Sequence, residues 1–347
     1  MKQEEIINGF AQLGAIMRIL GTNEEWKDFS IGLTQEEHQA LNEVIQKEVH
    51  SNGWFVEQNV RTSLLSLGRQ LTHETISTWA ASYEFTNAAK KVGVIMAGNI
   101  PLVGFHDFLC VLISGNKVLC KLSSNDKFML PALAHHLIQI VPELKERIEF
   151  TESRMNDMEA IIATGSDNSL QYFEQYFGKY PHVFRRNRTS VAILDGAETK
   201  AEMEALGSDI FSYFGLGCRN VSHLIVPDGY NLQNFFEAVV GYSEVVNNNK
   251  YANNYDYNKA VYLMNQHALL DNNFVLLRES EDLFSPLSMI HYHYYSSKED
   301  VTSYLEKHVN DLQVIVGKDD IPFGKAQSPE LDDYADGVDI MSWLSNL

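Results

Sequence analysis

The sequence predicts an α/β protein with two doubly wound lobes and a helical N-terminal section. A chain of 347 residues exceeds the ~250 to 300 residues at which a single hydrophobic core stops growing, so two lobes are expected. Residues 1–80 show apolar residues at helical spacing, whereas from Lys91 onward short apolar runs alternate with helix-length segments. Such alternation is typical of βαβ units and a parallel sheet.

The N-terminal section contains two predicted amphipathic helices. The first carries apolar residues at helical spacing, namely Ile6, Ile7, Phe10, Leu13, Met17 and Leu20. The second opens with the capping box TQEE at 34–37 and ends in the polar stretch HSNG at 50–53.

The first α/β series predicts four strands: VGVIMA (92–97), KVLCKL (117–122), RIEFTE (147–152) and AIIAT (160–164). Predicted helices run from near Leu102 to Ile113 and from about Asp126 to just before Pro142. The order of these elements is that of a doubly wound half of the kind that binds nucleotides.

The second series predicts six strands: SVAILD (190–195), SHLIVP (222–227), KAVYLM (259–264), NFVLLR (273–278), MIHYHYY (289–295) and LQVIVG (312–317). Predicted helices end near Phe214, span about 232–246 and span about 298–308. The polar, Asn- and Tyr-rich stretch at 245–258 is interpreted as a long surface loop.

These two series give a three-part organisation. Residues 1–186 are expected to hold the helical section and a Rossmann-like nucleotide-binding domain. Residues 187–325, which include Cys218, are expected to form a second domain, and residues 326–347 a C-terminal tail.

Composition excludes several function classes. Lys and Arg number 27 against 46 Asp and Glu, for a net charge of −19, which repels polyanions and argues against a nucleic-acid partner. Three cysteines without a CxxC pair suggest neither a disulfide framework nor a zinc site. The N-terminus lacks a signal-type cleavage site, and no segment reaches about 18 consecutive apolar residues, so a cytoplasmic chain without a membrane span is expected.

Cys218 is the cysteine with a candidate chemical role. Cys110 and Cys120 lie in apolar runs and are expected to pack in a core, because cysteine is usually a small buried hydrophobe. Cys218 instead lies between Gly217 and Arg219, where a ligand can approach closely and a cation can lower the thiol pKa. Taken alone, the motif leaves a nucleophile less favoured than a structural cysteine.

The turn after the first predicted strand is a second candidate. Neither a G-x-G-x-x-G motif nor a Walker A motif occurs, but MAGNIPLVG at 97–104 joins a strand to a helix. Asn99 in such a turn can present its amide beside a helix N-terminus, which favours negative charge, although in isolation the pattern favours an ordinary turn residue.

Six segments, in order, resemble motifs of the aldehyde dehydrogenase superfamily. MAGNIP resembles PWNFP, ISGNKVLCKLSSND resembles AAGNTVVLKPSE, and ATGS resembles FTGS. FGLGC lies where the family has NxGQxC, SEDLFSPLSMI where it has EEIFGPV, and IPFGKAQS where it has PFGG. The resemblance spans residues 92–328 and implies an aldehyde dehydrogenase-like fold with Cys218 as the nucleophile.

One departure from the superfamily pattern narrows the resemblance. The ELGGK segment, whose glutamate is the base for thioester hydrolysis, should fall near residues 184–188, where this chain reads FRRNR. A thioacyl-enzyme without a positioned base does not activate water. The sequence therefore resembles the acyl-CoA reductases of the LuxC type, which reduce an acyl thioester with NADPH and whose best-known members make fatty aldehyde for luminescence.

The resemblance implies roles for individual residues. Cys218 would attack the acyl-CoA carbonyl, and the Asn99 amide and the Cys218 N–H would meet the oxyanion. The cofactor-binding residues implied are Lys121, Ser123, Ser124, Thr164, Gly165, Ser166 and Asp282. Lys121 would bind the adenosine ribose, while Ser123 and Ser124 leave room for a 2′-phosphate and favour NADP. Thr164, Gly165 and Ser166 would face the pyrophosphate, and Asp282 would replace the glutamate that holds the nicotinamide ribose.

Several alternatives stay open at this level. His291 and His293 alternate on a predicted strand, but no third metal ligand is evident. Arg185, Arg186 and Arg188 are consistent with CoA phosphate binding and with a solvated loop. Rival functions are an NAD-dependent aldehyde dehydrogenase working in the oxidative direction, a non-redox cysteine acyltransferase or thioesterase, and a non-catalytic relative. A homodimer is expected from the family's habit.

Overall fold

The computed structural model describes residues 2–86 and 88–347. The chain divides into two compact units: unit 1 comprises Met1–Arg186 with Glu330–Leu347, and unit 2 comprises Asn187–Pro329. Within the described residues, no helix combines the length and the hydrophobicity that a membrane crossing requires. The predicted α/β class with a helical N-terminal section is confirmed.

Four helices form the N-terminal section of unit 1: α1 (Gln3–Thr22), α2 (Gln35–Ser51), α3 (Glu57–Gln70) and α4 (His73–Ala80). The predicted capping box opens α2, because the Glu37 N–H donates to Thr34 Oγ1 (3.2 Å) and the Thr34 N–H donates to the Glu37 carboxylate (2.9 Å). Phe10, Leu13 and Met17 of α1 are completely buried in the core of unit 1. The helical spacing in the sequence therefore corresponds to a real buried face.

A five-stranded parallel sheet forms the rest of unit 1. Its strands are β1 (Lys91–Ile95), β2 (Lys117–Lys121), β3 (Ile148–Phe150), β4 (Ala160–Thr164) and β5 (His182–Arg185). Its helices are α5 (Phe105–Ile113), α6 (Met129–Ile140) and α7 (Asp167–Phe177), with a 3₁₀ helix at Pro142–Glu146. The strand order is β3-β2-β1-β4-β5 with every pairing parallel, so the direction of winding reverses between β1 and β4. In such sheets ligands bind outside the carboxyl ends of the strands at the reversal point.

Unit 2 contains a six-stranded sheet. Its strands are β6 (Thr189–Ile193), β7 (Val221–Pro227), β8 (Leu270–Asp271), β9 (Leu276–Glu279), β10 (Met289–Tyr295) and β11 (Leu312–Val316). Its α-helices are α8 (Lys200–Phe211), α9 (Leu232–Val239), α10 (Asn249–Met264) and α11 (Lys298–Lys307). The strand order is β11-β6-β7-β10-β9-β8, and β8 alone runs antiparallel to its neighbour.

Two predictions in unit 2 are wrong. The stretch at 245–258 is not a loop, because a 3₁₀ helix (Val240–Asn247) leads into α10, and KAVYLM at 259–264 is the end of α10 instead of a strand. Asn248 caps α10, its side chain accepting hydrogen bonds from two backbone N–H groups. Tyr251, Tyr255 and Asn258 are buried at spacings of four and three residues, so large polar side chains form the buried face.

The C-terminal residues Glu330–Leu347 belong to unit 1, and so differ from the separate tail in the three-part prediction. A last helix, α12 (Ile340–Ser345), buries Ile340, Met341 and Leu344 in the core of unit 1. Tyr334 accepts a hydrogen bond from Trp79 Nε1 (2.9 Å). Apolar burial and this buried hydrogen bond fix the end of the chain to unit 1.

Candidate active site

In unit 1 the predicted cofactor residues gather at the carboxyl edge of the sheet. Lys121 is the last residue of β2, Thr164 is the last residue of β4, and the segment with Asn99 follows β1 directly. β1 pairs with both β2 and β4, and Ile95 is the register partner of Lys121. These residues therefore lie together at the reversal point of the winding, where a nucleotide is expected.

The turn that carries Asn99 packs closely against the loop after β2. A Cβ added at Gly98 would lie 2.4 Å from Ser123 Oγ, so the approach of the two segments requires glycine there. Leu102 has a left-handed backbone (φ 60°), and its N–H donates to Asp126 Oδ2 (2.7 Å). Asn99 itself is exposed. Asp126 thus holds the turn in a conformation that a non-glycine residue rarely adopts.

Asp126 is a buried carboxyl group that sequence reasoning did not select. Burial and the nearby carboxyl of Glu48 together raise its pKa to about 7, although the hydrogen bond from the Leu102 N–H acts in the opposite direction. Glu48 is also buried and accepts hydrogen bonds from the N–H groups of Phe128 and Met129. The two carboxyl groups together shape the loop that follows β2.

The polar groups at the carboxyl edge fit the oxygen atoms of a nucleotide. Lys121 Nζ donates to the Ser153 carbonyl (3.2 Å) and remains near the surface, while Ser124 is exposed. Ser166 is the N-cap of α7, and its hydroxyl lies 3.1 Å from Ser169 Oγ instead of bonding to the helix N–H groups. Hydroxyl, ammonium and helix N–H groups are suitable donors to ribose and phosphate oxygens.

Arg185 fits neither of the two roles that the sequence allowed, CoA phosphate binding and a place in a solvated loop. Its guanidinium forms a bidentate ion pair with Asp107, with distances of 2.5 and 2.8 Å, and both side chains are more than nine-tenths buried. Arg185 is therefore unable to reach a phosphate ligand, and it is not part of a solvated loop. Arg188, in unit 2, donates to the Leu312 carbonyl (2.8 Å).

In unit 2 the turn that carries Cys218 is closed by its own backbone and by Asn220. The Asn220 N–H donates to the Gly217 carbonyl (3.1 Å), and the Gly217 N–H donates to Asn220 Oδ1 (2.8 Å). The Cys218 carbonyl accepts a hydrogen bond from Ser190 Oγ on β6 (2.9 Å). The backbone of the cysteine is therefore fixed to the sheet, which is what a positioned nucleophile requires.

The Asn220 amide also joins this turn to the end of α8. Asn220 is 2% exposed, and its Nδ2 lies 3.0, 3.2 and 2.9 Å from the carbonyl oxygens of Asp209, Ile210 and Ser212. One side chain thus supplies donors to carbonyl groups that a helix end leaves without intrahelical partners. Sequence reasoning missed Asn220; its only signal was an amide two residues after the cysteine.

Asp209 joins the same region to the IPFGKAQS segment. Its carboxylate accepts hydrogen bonds from the N–H groups of Gly324 (2.6 Å) and Ala326 (2.9 Å). Burial raises the pKa of Asp209 to about 6, and the two backbone hydrogen bonds act in the opposite direction. Arg219 donates through Nε to the Ala326 carbonyl, so this cation also holds the segment in place.

The three cysteines differ in accessibility. Cys110 and Cys120 are completely buried, and burial raises the pKa of each thiol above its usual value. Cys218 is partly exposed. The thiolate is the reactive form of cysteine, so burial and a raised pKa count against Cys110 and Cys120, and accessibility favours Cys218 as the reactive thiol.

The Asp282 segment rests on buried histidine and tyrosine side chains. The Asp282 carbonyl accepts hydrogen bonds from His223 Nδ1 (3.1 Å) and His291 Nδ1 (2.8 Å), and the Glu281 carbonyl accepts one from Tyr304 Oη (3.1 Å). Burial and, to a smaller extent, the neighbouring His293 lower the pKa of His223 to about 3, so its ring is neutral at physiological pH. The segment that carries Asp282 is therefore held in place by hydrogen bonds from uncharged histidine and tyrosine side chains.

The histidines at this place contact one another and the backbone of the Asp282 segment. His291 is 2% exposed, so it is a buried group and not a surface strand histidine. No group of three or more His, Cys, Asp or Glu side chains in the described part of the chain is arranged to hold a metal ion. Their contacts instead assign them to the support of the Asp282 segment.

Comparisons with known proteins agree with this geometry. A family model described as Acyl-CoA reductase (LuxC) matches residues 35–320, which is more than half of the chain. A sequence search of curated proteins gives no match.

Solved aldehyde dehydrogenase structures resemble about nine-tenths of the chain. Aldehyde dehydrogenase 21 from Physcomitrella patens, in complex with the reaction product succinate, is 14% identical with a TM-score of 0.64, covering 92% of this chain and 74% of its own. An aldehyde dehydrogenase from Bacillus cereus in complex with NAD+ is 13% identical with a TM-score of 0.63, covering 91% and 72%. The aldehyde dehydrogenase KauB from Pseudomonas aeruginosa is 13% identical with a TM-score of 0.61, covering 90% and 72%. At these identities the matches show the fold, and they confirm the predicted aldehyde dehydrogenase-like architecture.

Proposed function

The chain belongs to the acyl-CoA reductase (LuxC) family, and from this premise we propose that it reduces an acyl-CoA thioester to the aldehyde with NADPH. The proposed route passes through a thioacyl intermediate on Cys218. The observation that carries the proposal is the Cys218 turn, which holds a partly exposed thiol on a backbone fixed by Ser190 and Asn220.

Cys218 performs the covalent step. Its thiolate attacks the carbonyl carbon of the acyl-CoA, a carbon–sulfur bond to Cys218 forms, and the bond to CoA breaks so that CoA leaves as a thiol after taking up a proton. When bound, the nicotinamide cofactor supplies a hydride to the thioacyl carbon. The carbonyl oxygen gains a proton, the carbon–sulfur bond to Cys218 then breaks, and aldehyde leaves with the thiol restored.

Asn99 and the Cys218 N–H stabilise negative charge on the carbonyl oxygen. A preorganised donor of this kind is typically worth about 3 kcal/mol in the transition state. Asn99 is exposed in the turn that follows β1, which Gly98 and Asp126 fix. In this proposal the backbone of the turn is positioned before substrate binds.

In this proposal the segment 184–190 favours reduction of the thioacyl intermediate over its hydrolysis. The segment reads FRRNRTS and contains no carboxylate, and Arg185 is committed to Asp107. No general base from this segment activates a water molecule against the thioacyl carbon. The intermediate therefore persists until hydride or a thiol attacks it.

NADP is the proposed cofactor form. Lys121, Thr164, Gly165 and Ser166 would hold the ribose and phosphates, and Asp282 would hold the nicotinamide ribose. Ser123 and Ser124 offer hydroxyl donors where a carboxylate would repel a 2′-phosphate. Ser124→Glu is expected to lower kcat/KM for NADPH at least tenfold and to raise it for NADH, whereas Ser124→Ala is expected to preserve the NADPH preference.

The test of the function measures NADPH oxidation, aldehyde and CoA with acyl-CoA substrates. Cys218→Ala should abolish turnover, while Cys110→Ala, in which the altered thiol is completely buried, should retain it. Asn99→Ala should slow turnover by about 10² to 10³. Asn8→Ala, at an exposed position of α1, is the matched control and should leave turnover unchanged. Release of CoA at the same rate without NADPH would instead support an acyltransferase or thioesterase.

A further inference from the structure

Unit 2 contains a cavity of about 230 Å³ with a largely apolar wall. The wall comes from the end of α8, the residues on both sides of the Cys218 turn, and the segment 285–290. Its apolar side chains include Ile210, Phe214, Leu216, Val221 and Leu287. Ligand pockets are commonly lined by apolar side chains with a few polar groups, and this wall has that composition.

The cavity adjoins the turn that carries Cys218. Leu216 and Val221 line it, and they stand two residues before and three residues after the cysteine. Two residues of chain span at most about 7 Å, so the Cα atom of Leu216 lies within that distance of the Cys218 Cα. A group bound covalently to Cys218 is therefore within reach of the cavity.

Two turns with left-handed backbone contribute Phe214, Gly215 and Ser288 to the wall of the cavity. Tyr213, Phe214 and Gly215 have φ angles of 54°, 60° and 78°, and Ser288 has a φ angle of 64°. Left-handed non-glycine residues cost of order 1 to 3 kcal/mol each and persist only where the surroundings fix them. Backbone strain of this kind clusters at ligand sites, which is consistent with binding here.

Polar side chains in and around the wall donate hydrogen bonds to backbone carbonyl groups. Asn258 Nδ2 donates to the Leu287 carbonyl (2.8 Å), and Ser285 Oγ donates to the Met289 carbonyl (2.6 Å). Tyr251 Oη donates to the Phe274 carbonyl (3.0 Å). Polar side chains in the wall thus have partners within unit 2, and the apolar surface remains for a ligand.

We propose that this cavity binds the acyl chain of the substrate and sets its preferred length. The inference rests on the proposed function, because it takes the occupant to be the acyl group that Cys218 receives. A methylene fills about the volume of one water molecule, roughly 30 Å³, so the cavity accommodates about eight methylene groups. The expected substrates are acyl-CoAs of medium chain length.

Leu287 is the residue expected to control chain length. A Cβ built at Gly215 would lie 3.7 Å from Leu287 Cδ1, so the leucine side chain extends across to the strained turn. Its side chain is partly buried, and its backbone is held by Asn258, so substitutions change the side chain inside a fixed turn. A larger residue there shortens the space for a chain, and a smaller one extends it.

The experiment measures kcat/KM across acyl-CoAs from two to fourteen carbons for wild type, Leu287→Trp and Leu287→Ala. Wild type should gain roughly fourfold per methylene up to about nine carbons, the carbonyl carbon included, and then level off. Leu287→Trp should move the break to shorter chains, and Leu287→Ala should move it to longer chains. Leu270→Trp, at an exposed position of β8, is the control and should leave the profile unchanged.

A second measurement does not depend on the cofactor. Intact-protein mass spectrometry after incubation with each acyl-CoA, without nucleotide, reports the rate at which Cys218 is acylated and should follow the same chain-length profile. If the three proteins reduce acyl-CoAs with identical profiles, the cavity is not the acyl site although the reductase function stands. If no acyl-CoA acylates Cys218, the proposed function fails first, and the assignment of the cavity fails with it.

Discussion

Loss of the Asn220 side chain should both destabilise unit 2 and disturb the reactive thiol. Its amide group contacts three carbonyl oxygens at 2.9 to 3.2 Å, and its carbonyl oxygen accepts the Gly217 N–H. Leaving a buried polar group without a partner costs about 1 to 3 kcal/mol. Two amide hydrogens and one acceptor are lost together, so Asn220→Ala should lower the free energy of unfolding by about 3 to 5 kcal/mol.

Asn220→Asp removes the amide donor and keeps nearly the same side-chain volume, so it tests the donor alone. The aspartate keeps an oxygen for the Gly217 N–H, but it places a second oxygen against the three carbonyl groups. The loss of stability should be at least as large as for Asn220→Ala, because repulsion replaces the donor. Asn265→Ala is the matched control, since Asn265 is exposed and donates to a single helix carbonyl, and it should cost at most about 0.5 kcal/mol.

Urea-induced unfolding and the rate of Cys218 alkylation by iodoacetamide form the assay. The alanine variant should show a lower unfolding midpoint and an altered alkylation rate in the folded state, because the turn loses its contacts with α8. A change in unfolding free energy below about 1 kcal/mol together with an unchanged alkylation rate would refute the reasoning. That outcome would mean that the backbone of residues 217–220 is held without the side chain.

Three further predictions concern thiols, a carboxyl group and an ion pair. In the folded protein a disulfide reagent should modify Cys218 rapidly and leave the buried Cys110 and Cys120 unmodified. All three thiols should react in denaturant. Fast reaction of more than one thiol in the folded protein would contradict the burial of Cys110 and Cys120. The pKa of Asp126 is raised to about 7, so the folded chain holds a proton that the unfolded chain releases, and stability from this group falls as pH rises from about 4 to about 7. Asp126→Asn should match wild type in thermal unfolding at pH 4 and exceed it at pH 8, and equal differences at both values would count against the raised pKa. Arg185→Met should lower stability by about 3 to 5 kcal/mol because it leaves a buried carboxylate without its partner, and a cost below about 1 kcal/mol in urea unfolding would show that the pair is dispensable.

Periodicity and local motifs determined most of the secondary structure from the sequence. The apolar runs at β1, β4 and β7 were recognisable because strands buried on both faces read as continuous hydrophobic segments. The capping box at Thr34 marked the start of α2, since its hydrogen bonds join residues three apart. The order of six short motifs around Cys218 also pointed to the fold and to the reactive cysteine without any knowledge of contacts.

Long-range contacts decided what the sequence did not. Arg185 is buried because Asp107 stands 78 residues earlier in the chain, and Asp209 meets Gly324 across 115 residues. The helix α10 was missed because its buried face is made of Tyr251, Tyr255 and Asn258, whose polar groups read as a loop. Local patterns report the preference of the backbone, whereas burial, pKa and the cavity beside the Cys218 turn depend on partners that only the folded chain brings together.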